Sequence, residues 1–359
     1  MEVKENKTWS IVGLIGIILT IGILVYDVSI LSQVDALEKS GGNILFNYRG
    51  IILVSGIVLI ILGAMKMPSH KHNSIVNTVF LLPVLMTFFI TVLLPFGIGI
   101  FYSFTDWNGL KFEEFVGLAN YLDIFGDAKF RYSFFITFIF TLLNVVIVNA
   151  VAFALALMVT SNLRGANFYK AAYFVPNLIG GIVLGYVWQF VFNRVIPQLL
   201  GGEVASMLTN PNLALAAIII VSTWQYGGYI MMLYVTGLQS VPKSVLEASS
   251  IDGATYPQTL RFITMPMIAN SFTVCLFLTI VNSFKQFDLN FAITNGGPIR
   301  IVDKAAMYST EFLALNIYKT AITENNYSAA QAKAVIFFII IASVSLLQVS
   351  INKRKEIEA

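Results

Sequence analysis

The stretch LQSVPKSVLEASSIDGATYPQTLRFITMP, residues 238–266, decides how the rest of the chain is read. It lies between two long apolar segments, yet Lys243, Glu247, Asp252 and Arg261 follow one another within it. Charges at that density are too costly for hydrocarbon, so the stretch is expected to be an ordered loop at one membrane face. Its pattern predicts two short helices joined at a glycine. Pro242 suits a first helical turn, where its missing N–H costs nothing, and Val241, Val245 and Ala248 recur at i, i+4 and i+7 along one face. Gly253 can take the positive φ that ends a helix and reverses the chain. A second amphipathic piece follows, with Tyr256, Leu260 and Ile263 on one side, and Pro266 opens the next apolar run. On composition alone, a plain solvated connector between two membrane helices fits equally well.

Working outward, the whole chain reads as membrane protein. Of its 359 residues 57% are hydrophobic and 11% charged, and the mean hydropathy is +0.79, well outside the range of soluble domains. A spanning helix needs about 20 apolar residues to cross about 30 Å of hydrocarbon. That ruler gives candidate spans near 10–26, 50–65, 75–104, 133–160, 171–193, 212–237, 266–291 and 332–351. The predicted fold class is therefore all-α: a polytopic membrane protein with about eight transmembrane helices. The small net charge of +3 is spread among loops and gives no reason to expect a nucleic-acid partner. The single cysteine, Cys275, lies inside an apolar run, so it forms no intrachain disulfide and reads as a packing residue.

The run Glu247-Ala248-Ser249, then Asp252-Gly253-Ala254, then Ile263 and Met265-Pro266, resembles the EAA motif of ABC importer permeases, in the form common to sugar permeases of the maltose-transporter type. Ser249 stands where the family has a second alanine, and Met265 where leucine is usual. Further along, Tyr102-Ser103-Phe104-Thr105-Asp106-Trp107-Asn108 resembles the family's SFTDWN pattern, and FVGLANYLDIF at 115–125 its outer FVGL-NY element. Thr294-Asn295-Gly296-Gly297-Pro298 resembles its outer glycine-rich turn, with Asn295 in place of a glycine but able to hold a left-handed backbone. The resemblance runs from Val76 to about Ile351. It implies a six-helix permease core at 75–359, preceded by a two-helix membrane hairpin at 1–74.

The resemblance also implies partners. The 238–266 loop would be a cytoplasmic coupling helix seated in a cleft of an ATPase, with Val245, Glu247, Ala248, Asp252, Gly253, Ala254 and Pro266 as the coupling residues. The chain would pair with a second permease subunit, most simply as a heterodimer. Two ATP-binding subunits and an extracytoplasmic solute-binding protein would complete an importer embedded in membrane lipid. If the loop is cytoplasmic, so are both termini. Lys4, Lys7, Lys66, Lys71, Arg164, Lys170, Lys243, Arg261, Lys353, Arg354 and Lys355 then raise the basic density on the inner side, as positive-inside topology asks. The expected location is the cytoplasmic membrane of a bacterium or archaeon.

Polar residues at membrane depth are where substrate recognition should show, because each is costly unless it pairs or faces water. Asn144, Asn149, Trp188-Gln189, Trp224-Gln225-Tyr226, Tyr229 and Asn282-Ser283 with Lys285-Gln286 are the candidates. Aromatic planes and amides suit an uncharged sugar, whose C–H faces stack and whose hydroxyls seek donors and acceptors. Trp224, Tyr229, Asn282, Ser283 and Gln286 are the expected pathway residues, with interhelical hydrogen bonding as the competing role of each. Asn282 and Gln286 stand four apart and share a helical face.

The chain carries no Gly-x-x-x-x-Gly-Lys-Ser/Thr loop, so ATP hydrolysis is expected from a separate subunit and this chain is not expected to be an enzyme. No cofactor or metal is called for. His70 and His72 flank Lys71 in a short polar segment, which suits a solvated interfacial loop better than a two-histidine metal site. An ion-coupled secondary transporter of a small polar solute is the alternative reading. It would want coupling carboxylates in mid-membrane, and the candidate spans offer only Asp288, near an end.

Overall fold

The computed structural model describes residues 7–29, 44–66, 72–111, 114–161, 163–202, 205–302 and 304–353. Lys4, Lys71, Arg354 and Lys355, on which the expected topology partly rests, His70 of the polar histidine segment, and most of the loop after Asp27 lie outside these residues. The chain divides into two compact units, Met1–Ile98 and Gly99–Ala359.

The first unit opens with α1 (Lys7–Ser29) and α2 (Ile44–Lys66), followed by α3 (72–102), whose last turn belongs to the second unit. Helices α1 and α2 meet through glycines. A Cβ on Gly16 would lie 2.7 Å from the Gly56 carbonyl oxygen, and one on Gly63 would lie 2.6 Å from Gly13 Cα. Small residues on both sides let the two backbones touch, which in lipid replaces the hydrophobic drive available in water. The Thr20 hydroxyl donates to the Gly16 carbonyl at 2.8 Å, and Arg49 near the start of α2 pairs with Asp27 near the end of α1 at 3.7 Å.

The second unit continues with α4 (Ala119–Gly126) and α5 (Ala128–Thr160). A broken pair follows, α6 (Ala166–Phe174) with a 3-10 turn Val175–Leu178, then α7 (Gly181–Leu199). Next come α8 (Pro211–Ser240), α9 (Lys243–Ile251), α10 (Tyr256–Met267) and α11 (Ala269–Phe284). Short α12 (Asp288–Ile293) leads to a hairpin of β1 (Ile299–Val302) and β2 (Ala305–Tyr308), then α13 (Leu313–Ile322) and α14 (Tyr327–Lys353).

Among the described residues, up to six spans by length and composition, counting each bent pair once, plus the two shorter apolar helices of the hairpin, agree with the expected number of about eight. Two expected spans differ in form. The one placed at 171–193 is bent by 97° between Leu178 and Gly181, and the one placed at 266–291 is bent by 72° at Ile268 and ends at Phe284. The 97° bend follows the 3-10 turn that holds Pro176; a different proline device recurs along the chain. Phe89–Leu93, Val191–Val195 and Leu260–Thr264 are π-helical turns, each ending two residues before a proline: Pro95, Pro197 and Pro266. A proline ring collides with the carbonyl four residues back; widening that turn to i→i−5 bonding moves the carbonyl aside while keeping the helix going.

Helices α5 and α8 form the axis. More than half of the apolar window of α8 (56%) is buried. Ala152 and Ala156 on α5 are wholly buried with Met231, Tyr234 and Val235 of α8 and Cys275 of α11. Nearer the other end, Phe140 stacks on Phe312 at 4.4 Å among Leu184, Phe192, Ile218 and Leu289. Polar groups tie the helices where packing leaves room. The Asn149 amide donates to Thr279 at 3.1 Å and its oxygen accepts from Tyr234 at 2.8 Å.

Candidate functional site

The deciding stretch folds into an elbow. Val241 is buried and Pro242 is the residue before α9 rather than inside its first turn, with ψ of 132°. The helix ends in a complete glycine stop. Gly253 has φ of +77°, its N–H donates to the Ser250 carbonyl at 3.2 Å, and the Ala254 N–H donates to the Ser249 carbonyl at 3.0 Å. Three residues later α10 begins, its start tied by the Thr255 N–H donating to Gln258 Oε1 at 2.8 Å. The Ser249 and Thr259 hydroxyls meet at 3.2 Å and hold the two helices together.

The elbow has a packed inner side and a bare outer one. Ser249 is buried, and Val245, Leu246, Ala254, Leu260 and Ile263 are half-buried. Glu247, Ala248, Asp252 and Pro266 are exposed, as are Ile251 at 86% and Tyr256 and Phe262 at 68% each. The i, i+4, i+7 reading of Val241, Val245 and Ala248 therefore holds for the first two only. Because Gly253 turns the chain directly after α9, the inner side is set by Val245, Leu246 and Ser249, and Ala248 faces outward beside Ile251. In the same way Tyr256 points away from Leu260 and Ile263. Pro266 sits just before the 72° bend into α11.

A second feature lies where the α6–α7 break meets the end of α11. A cleft of about 360 Å³ is lined by Asn177–Gly181 from the α6–α7 break, Gln225 and Tyr226 from α8, Asn282 from α11, and Lys285–Asp288 beyond its end. Gln225 Nε2 donates to the Ile179 carbonyl at 3.2 Å, satisfying a backbone group that the break frees. A Cβ on Gly181 would lie 2.7 Å from Asp288 Cβ, so the glycine lets α7 seat against α12. Gln225 and Gln286 are each only 5% exposed, and neither Gln225 Oε1 nor Gln286 Nε2 has a hydrogen-bond partner among the described residues. Buried amide groups left unmade are costly, which sets these two atoms apart from the satisfied amides of the bundle.

The structure brings Asn282 and Gln286 together in this cleft, although α11 ends between them. Ser283 instead turns into the bundle, where its hydroxyl accepts from Asn144 Nδ2 at 2.9 Å. Trp224 is edge-on to Trp188 at 5.5 Å and lines a separate apolar groove with Ile147, Val151 and Tyr173. Tyr229, one turn beyond Gln225, lies beside Lys170 and Phe174. Lys285 and Asp288 both face the cleft, and no ion pair joins them among the described residues. Asn177 was not singled out from sequence; a polar residue directly after a mid-span proline was its signal.

Beyond the bundle, buried Lys333 of α14 finds three acceptors. Its ammonium donates to Asp127 Oδ2 at 3.0 Å, Asn316 Oδ1 at 3.1 Å and Thr320 Oγ1 at 2.9 Å. Burial raises the Asp127 pKa, but the Lys333 bond and charge with the N–H groups of Lys129 and Phe130 outweigh it and hold the carboxyl below its ordinary 3.8. Asn316 passes the network to Glu311, which pairs with Lys319 at 2.9 Å.

Spanning helices around α5 and α8, two broken and wrapped on a polar cleft, with an exposed elbow between two of them, define a multi-pass membrane transport subunit. Residues 149–357 match the family model described as binding-protein-dependent transport system inner membrane component, and the chain belongs to that family. It is 40% identical over 297 residues to a probable starch degradation products transport system permease, AmyD, of Thermoanaerobacterium thermosulfurigenes, covering 82% of this chain and 99% of the relative. It is 34% identical over 265 residues to the multiple sugar-binding transport system permease MsmF of Streptococcus mutans, covering 72% and 89%. The resemblance to maltose-type sugar permeases thus holds, and the family is one of transporters rather than enzymes. In fold the chain is similar to a subunit of a bacterial ABC transporter involved in import of the acidic polysaccharide alginate, at a TM-score of 0.66 and 18% identity over 79% of this chain and 97% of that one.

Proposed function

We propose that this chain is one transmembrane half of an ATP-driven importer for a sugar or oligosaccharide. A second permease subunit supplies the other half, two copies of an ATPase drive the cycle, and an external solute-binding protein delivers cargo. Residues 1–74 act as an appended membrane hairpin on the permease core at 75–359. The 238–266 elbow is the handle that the ATPase grips, and the side carrying it is the cytoplasm, where both termini also lie.

One observation carries the coupling reading. The elbow is packed inside and bare outside, and little slack links it to the spans: two residues, Val241 and Pro242, separate α8 from α9, and α10 enters α11 through a single residue. A push on Ala248, Ile251 and Tyr256 therefore reaches both spans as rigid-body motion. Glu247 and Asp252 rim that apolar face, Gly253 and Ala254 fix the bend, Val245 fastens it to the bundle, and Pro266 lies at the hinge into α11. Since α8 carries Gln225 and α11 carries Asn282, the same motion alters the cleft.

The substrate reading rests on the amides. Asn282, Gln286 and Gln225 offer donors and acceptors, and Tyr226 and Phe287 offer ring faces, a combination that fits a neutral polyhydroxylated solute. Trp224 and Tyr229 would serve the pathway from its flanks, and Ser283 by holding α11 to α5. The test is uptake of labelled maltooligosaccharide by vesicles containing this chain, its second permease and ATPase. Uptake is expected only with ATP inside and binding protein outside. Uptake by this chain without an ATPase, driven by an ion gradient, would contradict the reading.

A further inference from the structure

Helix α4, outside the bundle, shows three distinct faces in eight residues. One is packed: Ile124 is 2% exposed, the Tyr121 hydroxyl meets Ser103 Oγ at 2.6 Å, and Asn120 Nδ2 donates to the carbonyls of Ser103 and Thr105 at 2.9 Å each. A second is polar and open, at Asp123. The third is apolar and open. Leu118, Leu122 and Phe125 are 61, 70 and 65% exposed, and Phe115 just ahead of them is 67% exposed. At 3.6 residues per turn, positions 118, 122 and 125 fall within about 60° of one another, a single narrow stripe.

The stripe continues onto a surface that faces lipid. Arg131 Nη1 donates to the carbonyls of Phe125 and Gly126, at 2.7 and 3.1 Å, which fixes the end of α4 beside the first turn of α5. Below Arg131 on the same face of α5 come Phe135, Phe138 and Leu142, all at least half exposed. From Arg131 to Leu142 is about 16 Å of helix, close to half of a ~30 Å hydrocarbon layer. Arg131 to the end of α5 at Thr160 is about 43 Å, near the ~40–45 Å of a whole bilayer with its headgroups. Arg131 therefore stands at headgroup level, and α4 with it.

We infer that α4 lies in the membrane surface, on the leaflet opposite the 238–266 elbow, with Leu118, Leu122, Phe125 and Phe115 sunk into the acyl boundary and Asp123 in water. Phospholipid is the occupant of the apolar stripe because the stripe is continuous with the lipid-facing side of α5, and because Arg131, exposed beside it, suits lipid phosphates. The consequence is mechanical. Through Asn120 and Tyr121, α4 holds the 103–105 turn at the end of α3, so that end is moored to the bilayer while the broken helices move. The inference stands on the fold and is independent of the coupling assignment.

Single cysteines at Leu122, Phe125 and Asp123 test it in the assembled transporter in phosphatidylcholine vesicles, each carrying a small fluorophore; the one native cysteine, Cys275, is wholly buried and stays unlabelled. Quenching by a nitroxide attached high on the lipid chain is expected to be several-fold stronger at 122 and 125 than at 123. Quenching by aqueous iodide is expected to follow the opposite order, and added solute-binding protein to change neither. Equal iodide access at all three positions would overturn the inference. So would protection of 122 and 125 that appears only with the binding protein, which would make the stripe a protein dock.

Discussion

At Gly253 the backbone turn of the elbow and the proposed coupling role fall on one residue. Its φ of +77° disfavours any side chain, yet a Cβ there would meet nothing within 4 Å. A Gly253→Val replacement strains only the backbone, by about 1–2 kcal/mol, and leaves the bundle packed. The expected outcome is a stably inserted protein whose complex hydrolyses ATP but whose uptake falls at least tenfold, read by paired ATPase and uptake assays. Undiminished uptake would remove the elbow from the coupling route. In the cleft, Gln286→Leu swaps an amide with an unmade bond for an apolar group of similar size, so thermal stability should hold or rise. The KM for uptake should rise about tenfold, the value of one ~1.4 kcal/mol hydrogen bond. Gln225→Leu, which also strips Ile179 of its donor, should lower both stability and uptake. Equal behaviour of the two variants would assign Gln286 to packing.

At the scale of elements, the start and stop of α9 were legible because glycine and proline announce themselves locally. The broken spans were not. An apolar run reads as one helix whether or not it bends, and at the 97° bend the carbonyl freed at Ile179 is satisfied by Gln225, 46 residues away in sequence. The outward turn of Ala248 was missed for a related reason: three residues on one face do not reveal which face the following chain covers. Least legible was Lys333, whose acceptors lie 13, 17 and 206 residues away in sequence. That network joins α14 to α13 and to the start of α5. Lys333→Met leaves Asp127, Asn316 and Thr320 without their donor, and the expected cost is about 3–5 kcal/mol, seen as a lower unfolding temperature in detergent. The sign of its pH dependence follows from Asp127. The folded carboxyl titrates below its ordinary value, so the pair's contribution is complete above pH 3.8 and is lost as pH falls through the lower, folded value. Stability of the wild-type protein should therefore show no loss from this pair between pH 5 and pH 7, and the difference between wild type and Lys333→Met should shrink only in stronger acid.

For the molecule as a whole, the broken helices place the polar cleft and the elbow on the same two spans. Hydropathy alone had shown only how many times the chain crosses the membrane. The apolar outer face of the elbow is left uncovered by the described residues, and Ile251 at 86% exposure is its most prominent point. The most direct test is therefore a cysteine at Ile251, with buried Cys275 left in place, cross-linked in membranes containing the ATPase. The account predicts a specific adduct between this chain and the ATPase subunit whose yield changes with ATP, and none from a cysteine at Asp123 on the opposite side. Labelling of the Ile251 cysteine by an impermeant reagent added outside intact cells, with no ATPase adduct, would contradict it.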